Sequence, residues 1–315
     1  MPPPDPTAAD VWTVGRIIEW TTQHLRKSGS DTPRLEAEIL LAQARGCPRI
    51  QLYVDFALPV SDAHRATMRD LVQRRARAEP VAYLVGHREF FGLDFLVNPD
   101  VLIPRPETET LVMELIALAR RTASPDHSGP AGEPKVQAPR PLKILDLGTG
   151  SGCIAVASAA HLPQATVTAI DISPQALVMA RQNASRHGVE DRLQFLEGDL
   201  FGPLGNETQF DLIASNPPYV SDSDMETLPA DVRQHEPHLA LRAGPRGLDV
   251  IERVVQGAPA RLSPGGALLL EISPEQAAAV TELIAGQPPF APPRILKDSA
   301  GRQRVVVARD RREPG

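Results

Sequence analysis

Two short stretches carry residue types that can do chemistry on a nitrogen. The first is Gly148-Thr149-Gly150-Ser151-Gly152, between the apolar run KILDL and the helical run CIAVASAAH. Glycines there let the backbone pass close to a ligand, and a helix start offers free N–H groups. The second is SNPPYV, residues 215–220, directly after FDLIA. Pro217 holds Asn216 extended and Pro218 does the same to Pro217, which makes a stiff strand exit. From such an exit the Asn216 side-chain oxygen and the Pro217 carbonyl can each accept one N–H of a planar –NH2. An amide or aryl-amine nitrogen is a poor nucleophile because its lone pair is delocalised, so aiming that lone pair is most of the catalysis required. In the best intramolecular cases orientation contributes roughly 7–11 kcal/mol. No strong base is needed before attack, because the proton can leave once the nitrogen is cationic. Tyr219 can wall the pocket and stack on a planar group.

Acids at strand ends extend the first stretch. Asp171 closes the run TVTAI, where a carboxylate can accept both hydroxyls of a ribose. A dinucleotide fingerprint would require glycine at position 153, which holds Cys153. A G-x-G-x-G loop with Asp146 two positions before its first glycine is instead the pattern of S-adenosylmethionine enzymes, in which that carboxylate can face the cationic end of methionine. Asp199, in EGD after the next strand, is placed to meet the adenine amino group. Each acid alone reads equally as a helix cap or a solvated loop. Their recurrence at successive strand ends, where open α/β sheets bind ligands, favours a cofactor.

The elements that must position these residues follow from hydrophobic period. From Thr13 to about Ala78 apolar residues recur at spacings of three and four, which predicts a small helical bundle. REFF and LDFLV, separated by Gly92, read as a hairpin bridging two domains. A helix is expected from Glu107 to Arg120, with Pro106 in its first turn and the acids of PRPETE on its dipole. Residues 122–141 hold five prolines and read as a flexible surface insertion. From Lys143 onward, β-rich runs alternate with helical segments, predicting a parallel α/β sheet covered on both faces. The last two strands leave no room for a helix and should form an antiparallel hairpin around Gly301.

Composition narrows the partners. The chain has 42% hydrophobic residues and a net charge of −6, which supports a sizeable core and argues against wholesale nucleic-acid binding. Only Cys47 and Cys153 are present, too few for a disulfide framework or a Cys-x-x-Cys zinc pair. The start lacks a signal-peptide pattern and no apolar run is of spanning length, so a soluble intracellular protein is expected. His235, Glu236 and His238 hold ligand-type side chains close together, but Pro237 interrupts helical spacing, and no metal is expected. Ser151 is not a hydrolase nucleophile, because Thr149 stands where G-x-S-x-G needs its first glycine. Trp12 and Trp20 read as packing, and the basic run VQRRARAE as a solvated helix face.

Together YLVGHREFFGLDFLVNPDVLIPRPETE, ILDLGTGSGCIAVA, SNPPYV and HEPHLALRAGPRGLD resemble the PrmC/HemK family of release factor glutamine methyltransferases. The resemblance runs from the helical region almost to the C-terminus. It implies a class I S-adenosylmethionine-dependent methyltransferase fold, Rossmann-like, with a mainly parallel seven-stranded sheet and an antiparallel last strand. The domains would be a helical substrate-recognition domain over 1–84, a β-hairpin linker over 85–106 and a catalytic domain over 107–315. The implied reaction methylates the side-chain amide nitrogen, N5, of the glutamine in the Gly-Gly-Gln loop of class 1 peptide chain release factors. Asn216, Pro217, Pro218 and Tyr219 would form the glutamine site, with Asn216 and Pro217 catalytic. Asp146, Gly148, Thr149, Gly150, Ser151, Gly152, Asp171, Asp199, Leu200 and Asn216 would meet the cofactor. The family often has an aromatic directly after the EGD-type aspartate, whereas this chain has Leu200 followed by Phe201, leaving open which of the two meets adenine. Glu236 would help order the loop after NPPY.

A cytoplasmic monomer with no stable nucleic-acid or membrane partner is expected. NPPY chemistry by itself would also serve a DNA adenine-N6 methyltransferase acting on a flipped base. That alternative would need a target-recognition domain and a basic groove. A binding module that merely keeps the fold is a second alternative, and the complete loop, acids and NPPY argue against such decay.

Overall fold

A computed structural model describes residues 11–123 and 141–312, so the expected insertion at 122–141 lies almost wholly outside the described residues. The chain divides into two compact units, Met1–His87 with Pro229–His235, and Arg88–Leu228 with Glu236–Gly315.

Among the described residues, the first unit contains five helices ahead of the hairpin: α1 (Val14–Lys27), α2 (Pro33–Arg45), α3 (Arg49–Val54), α4 (Asp62–Arg75) and α5 (Val81–Val85). Thr13 and Ser61 cap α1 and α4 by accepting backbone N–H groups with their hydroxyls, and Pro33 opens α2 where its missing N–H costs nothing. Ile17, Ile18, Leu25, Leu40, Leu41, Leu52 and Leu71 make the buried core of this bundle. Glu36 receives both Nε and Nη2 of Arg75, a two-pronged ion pair between α2 and α4. On α3 the apolar side chains of Ile50 and Val54 are instead 70% and 74% exposed.

Strands β1 (His87–Phe90) and β2 (Leu93–Leu96) form the expected hairpin. Phe91 and Gly92 both have left-handed backbones, the requirement of a two-residue type I′ turn. Phe91 is held there by a hydrogen bond from its N–H to Glu109. Phe90 and Phe95 are buried and meet edge to face at 5.9 Å, in one core cluster with Leu111 and Leu115. Through Phe90 and Phe95 the hairpin contributes to the core of the second unit. A short 3-10 turn over Pro106–Thr108 leads into α6 (Glu109–Ala123), where the sequence predicts a helix.

The rest of the second unit alternates as expected: β3 (Leu142–Leu147), α7 (Cys153–His161), β4 (Ala165–Asp171), α8 (Pro174–Arg186), β5 (Leu193–Glu197) and β6 (Phe210–Ser215). After the short α9 (Ala230–His235), which groups with the first unit, come α10 (Asp249–Arg261), β7 (Leu262–Glu271), α11 (Ala277–Ala285), β8 (Arg294–Lys297) and β9 (Gln303–Arg309). The sheet order is β5-β4-β3-β6-β7-β9-β8, with β9 antiparallel to both its neighbours. Strand order reverses at β3: the chain runs outward through β4 and β5, then returns to β6 on the other side. Such a switch point opens a crevice at the carboxyl ends of the strands. Two core clusters, one on each face of the sheet, hold it rigid behind that crevice.

Candidate active site

The carboxyl ends of β3, β4, β5 and β6 surround a cavity of about 280 Å3 lined by Gly148, Thr149, Gly150, Ser151, Asp171, Asp199, Leu200, Asn216 and Pro218, among others. The size approaches the low end of small-molecule sites, which run from about 300 to 1,000 Å3. Glycine loop, acids and NPPY turn, distant in sequence, thus share one cavity.

The loop is shaped by its strands. Gly148 and Thr149 donate their N–H groups to the Ile170 carbonyl, and Gly150 donates to Asp171 Oδ2 at 2.8 Å. Asp171 Oδ1 accepts from the Ser173 N–H at 2.9 Å, so this carboxylate holds both the loop and the start of α8. Its remaining lone pairs are free to accept from a ligand. Gly148 and Gly150 have positive φ, and a Cβ at either would meet nothing within 4 Å. The space beside them is a cradle that a ligand can fill. At Gly152 an added Cβ would lie 3.1 Å from that of Ala180, so this glycine serves helix packing.

Asp146 is fully buried and does not line the cavity among the described residues. Its Oδ2 accepts from the Thr149 hydroxyl at 2.6 Å and the Ala155 N–H at 3.2 Å, tying loop to α7. Its Oδ1 is buried with no hydrogen-bond partner. Burial pushes this carboxyl up to about 7, and Asp171 adds to the rise, while the two donors oppose it. A cationic ammonium group would supply what Oδ1 lacks, so the residues fit the cofactor the sequence implies. Cys153, at the start of α7, is pushed up to about 12 by burial and is no nucleophile.

After the end of β5, Leu200 lines the cavity with a left-handed backbone, φ 48°, unusual for a residue with a Cβ. Phe201 packs instead onto Gly257 of α10, where a Cβ would lie 2.5 Å from its ring. Asp199 also lines the cavity and pairs with Arg253 at 2.6 Å, an exposed contact that a ligand can compete for.

The NPPY turn leaves β6 at Ser215, whose hydroxyl donates to the Leu147 carbonyl at 2.7 Å and locks β6 to β3. Asn216 Nδ2 donates to Thr108 Oγ1 at 3.2 Å, leaving Oδ1 as an acceptor. Pro217 is buried, and neither it nor Tyr219 is among the residues lining the cavity. Tyr219, expected as a pocket wall, packs against the core cluster containing Ile251 and Leu270. Its carbonyl accepts from Gln276 Nε2, which also bonds the Gly247 carbonyl. Gly247 has φ +68°, and a Cβ there would stand 2.4 Å from the Tyr219 oxygen.

Glu236 pins the IPRPETE segment, taking a hydrogen bond from Arg105 at 2.5 Å and another from the Ile103 N–H at 3.3 Å. It therefore acts on the segment before α6. Among the described residues no group of three His, Cys, Asp or Glu side chains is placed to hold a metal. Three residues escaped the sequence reading. Asn183, buried on α8, bonds both the N–H and carbonyl of Leu96 and the Ser151 carbonyl, joining hairpin to loop. Thr108 and Glu271 lie behind Asn216. A buried carboxylate at the end of an apolar strand, as in LLLE, is the one signal that could have marked Glu271.

Comparison with known proteins gives matches to both regions. The PrmC N-terminal domain family matches residues 16–86, and the methyltransferase small domain family matches residues 134–235. A release factor glutamine methyltransferase of Rhodopirellula baltica is 44% identical over 94% of this chain and 95% of its own length. One from Geobacter sulfurreducens is 42% identical over 95% and 98%. Among solved structures, the hMettl16 catalytic domain in complex with a 3'UTR hairpin superposes with a TM-score of 0.53, at 17% identity, over 78% of this chain and 83% of its own. That last likeness is one of fold.

Proposed function

The chain belongs to the release factor glutamine methyltransferases, and from that membership we propose the roles of its residues and the finer identity of its substrate. The substrate nitrogen is N5 of the glutamine in the Gly-Gly-Gln loop of class 1 release factors, and the methyl donor is S-adenosylmethionine. When bound, the donor supplies an electrophilic methyl on its sulfonium. Asp171 would hold the ribose hydroxyls, Asp146 the methionine ammonium, and Leu200 with Asp199 the adenine. The chain acts as a monomer in the cytoplasm; among the described residues no helix is long and apolar enough to cross a membrane.

One observation carries the reading of the chemistry. Asn216 lies in the cavity of the glycine loop and commits its nitrogen to Thr108, so an oxygen is offered to the acceptor. That oxygen accepts one amide N–H, and the carbonyl of Pro217, a buried residue between the cavity-lining Asn216 and Pro218, accepts the other, which turns the nitrogen lone pair toward the methyl. Both acceptors strengthen their hold as the nitrogen becomes cationic, so they favour the transition state over the ground state. The positive end of the developing charge needs no carboxylate, since its proton leaves after transfer.

The helical unit of residues 1–84 is, on this reading, the part that grips the release factor body, with the chain from 107 catalytic. The test offers methyl-labelled S-adenosylmethionine with three acceptors: a release factor, the same factor with its loop glutamine changed to alanine, and duplex DNA. Label should enter only the first. Label entering DNA alone would overturn the proposal.

A further inference from the structure

Glu271, the last residue of β7, is buried, and neither carboxylate oxygen has a hydrogen-bond partner among the described residues. An isolated buried carboxyl is costly, and in a native fold it calls for a reason. Its place is set by the sheet. Leu270 pairs with Ser215 between β7 and β6, so Glu271 stands one step beyond, level with Asn216. Thr108, buried on the turn before α6, accepts from the Asn216 amide nitrogen. A hydroxyl that accepts one hydrogen bond still has its own proton to place. The Thr108 hydroxyl lies near enough to Glu271 to favour the charged carboxylate.

We infer that Glu271 is a positioning residue: its carboxylate accepts the hydrogen bond that the Thr108 hydroxyl has to donate, so that Thr108 can only accept from Asn216 and the Asn216 oxygen stays turned toward the acceptor amide. The inference rests on the proposed role of Asn216. Reversal shows why the charge matters. A protonated Glu271 can donate to Thr108, which would then donate to Asn216 Oδ1 and turn the amide over. An –NH2 would then face the substrate –NH2, two donors with no acceptor between them.

Burial pushes Glu271 up to about 7; Thr108, Arg304 and Arg105 favour its charge and Glu107 opposes it. Tyr219 on the NPPY turn and Cys153 at the start of α7 also sense it, and both are neutral at that pH, each being pushed up to about 12. The competent form is thus the carboxylate, and turnover should rise with pH through the neutral range.

The test uses the full chain. Single-turnover methyl transfer to a release factor is followed between about pH 6 and 8, together with S-adenosylhomocysteine binding by calorimetry and the side-chain 15N shift of Asn216. With S-adenosylmethionine saturating, so that the protonation of Asp146 does not limit the rate, Glu271→Gln keeps an acceptor oxygen without titrating, and it should stay within about 10-fold of the wild-type plateau and lose the acid limb. Glu271→Ala and Thr108→Val should each slow transfer about 100-fold with product affinity unchanged, and Thr108→Ser should recover most of the rate. The Asn216 15N signal should titrate in the wild type and not in Glu271→Gln. Wild-type turnover in Glu271→Ala, or an acid limb retained in Glu271→Gln, would overturn the inference. So would an alanine variant that loses product binding while glutamine restores nothing, since that is a structural role. If the wild type labels no release factor, the functional proposal fails, and the 15N titration still decides whether Glu271 orients Asn216.

Discussion

Glu236 and Arg105, 131 positions apart, meet at 2.5 Å, and the carboxylate side chain is only 1% exposed against 30% for the arginine. The segment after NPPY thereby holds the segment before α6, which brings Thr108 to Asn216. Removing the buried acid would leave the Ile103 N–H without its partner and free Arg105 to solvent. Glu236→Ala should cost about 2–4 kcal/mol of stability and lower turnover more than cofactor affinity. Glu236→Gln should recover part of both, as read by denaturant titration and single-turnover kinetics.

On the proposed mechanism, Asn216→Ala removes the oxygen that accepts from the reacting nitrogen and leaves the glycine loop and Asp171 untouched. Turnover should fall about 100- to 1,000-fold, with cofactor affinity within a few-fold by calorimetry. Unchanged turnover would remove Asn216 from the mechanism.

Two glycines with positive φ separate ligand space from packing. At Gly148 an added Cβ meets nothing, whereas at Gly247 it meets the Tyr219 carbonyl. Gly148→Ala should cost only about 1 kcal/mol of backbone strain while weakening cofactor binding, because the methyl enters the cradle. Gly247→Ala should destabilise by about 2–3 kcal/mol and move the NPPY turn, with cofactor affinity nearly kept. Thermal midpoints and calorimetry on the pair test the contrast.

Asp146 ties stability to pH. Its folded value of about 7 lies above the ordinary carboxylate range, so the folded state holds a proton that the unfolded chain releases. That contribution is complete below about pH 4 and is lost as pH rises through about 7. Asp146→Asn should flatten this decline and raise the thermal midpoint at alkaline pH relative to the wild type. Cofactor affinity should fall in the same variant if the unpartnered oxygen meets the methionine ammonium.

Ile50 and Val54 expose apolar surface on α3 that the bundle core does not use. If the helical unit grips the release factor, Ile50→Asp and Val54→Asp should raise KM for that substrate about 5- to 30-fold each. The rate at saturating release factor and the cofactor affinity should stay unchanged. A fall in rate at saturation would assign these residues to catalysis instead.

Much of this was legible in the chain. The period change at REFF, the alternation after Lys143 and the pairing of a glycine loop with Asp171 are local patterns, and each fixes an element or a strand end without help from distant residues. NPPY is local too: two prolines stiffen whatever strand exit they occupy. The sequence alone therefore determined the fold class, and it marked the sheet end at which the glycine loop, Asp171, Asp199 and the stiff NPPY turn gather. It could not decide which side chains complete the site, because those contacts link positions from 32 to 131 residues apart. Thr108 orients Asn216, Glu236 holds Arg105, and Asn183 joins Leu96 to Ser151 only because strand register and helix packing bring them within 3.2, 2.5 and 3.0 Å. The same packing set Tyr219 against the core and buried Phe90 and Phe95, burials that no local pattern specifies. A tertiary fold decides such matters because burial and hydrogen-bond partnership are properties of surroundings, and a linear pattern specifies only neighbours along the chain.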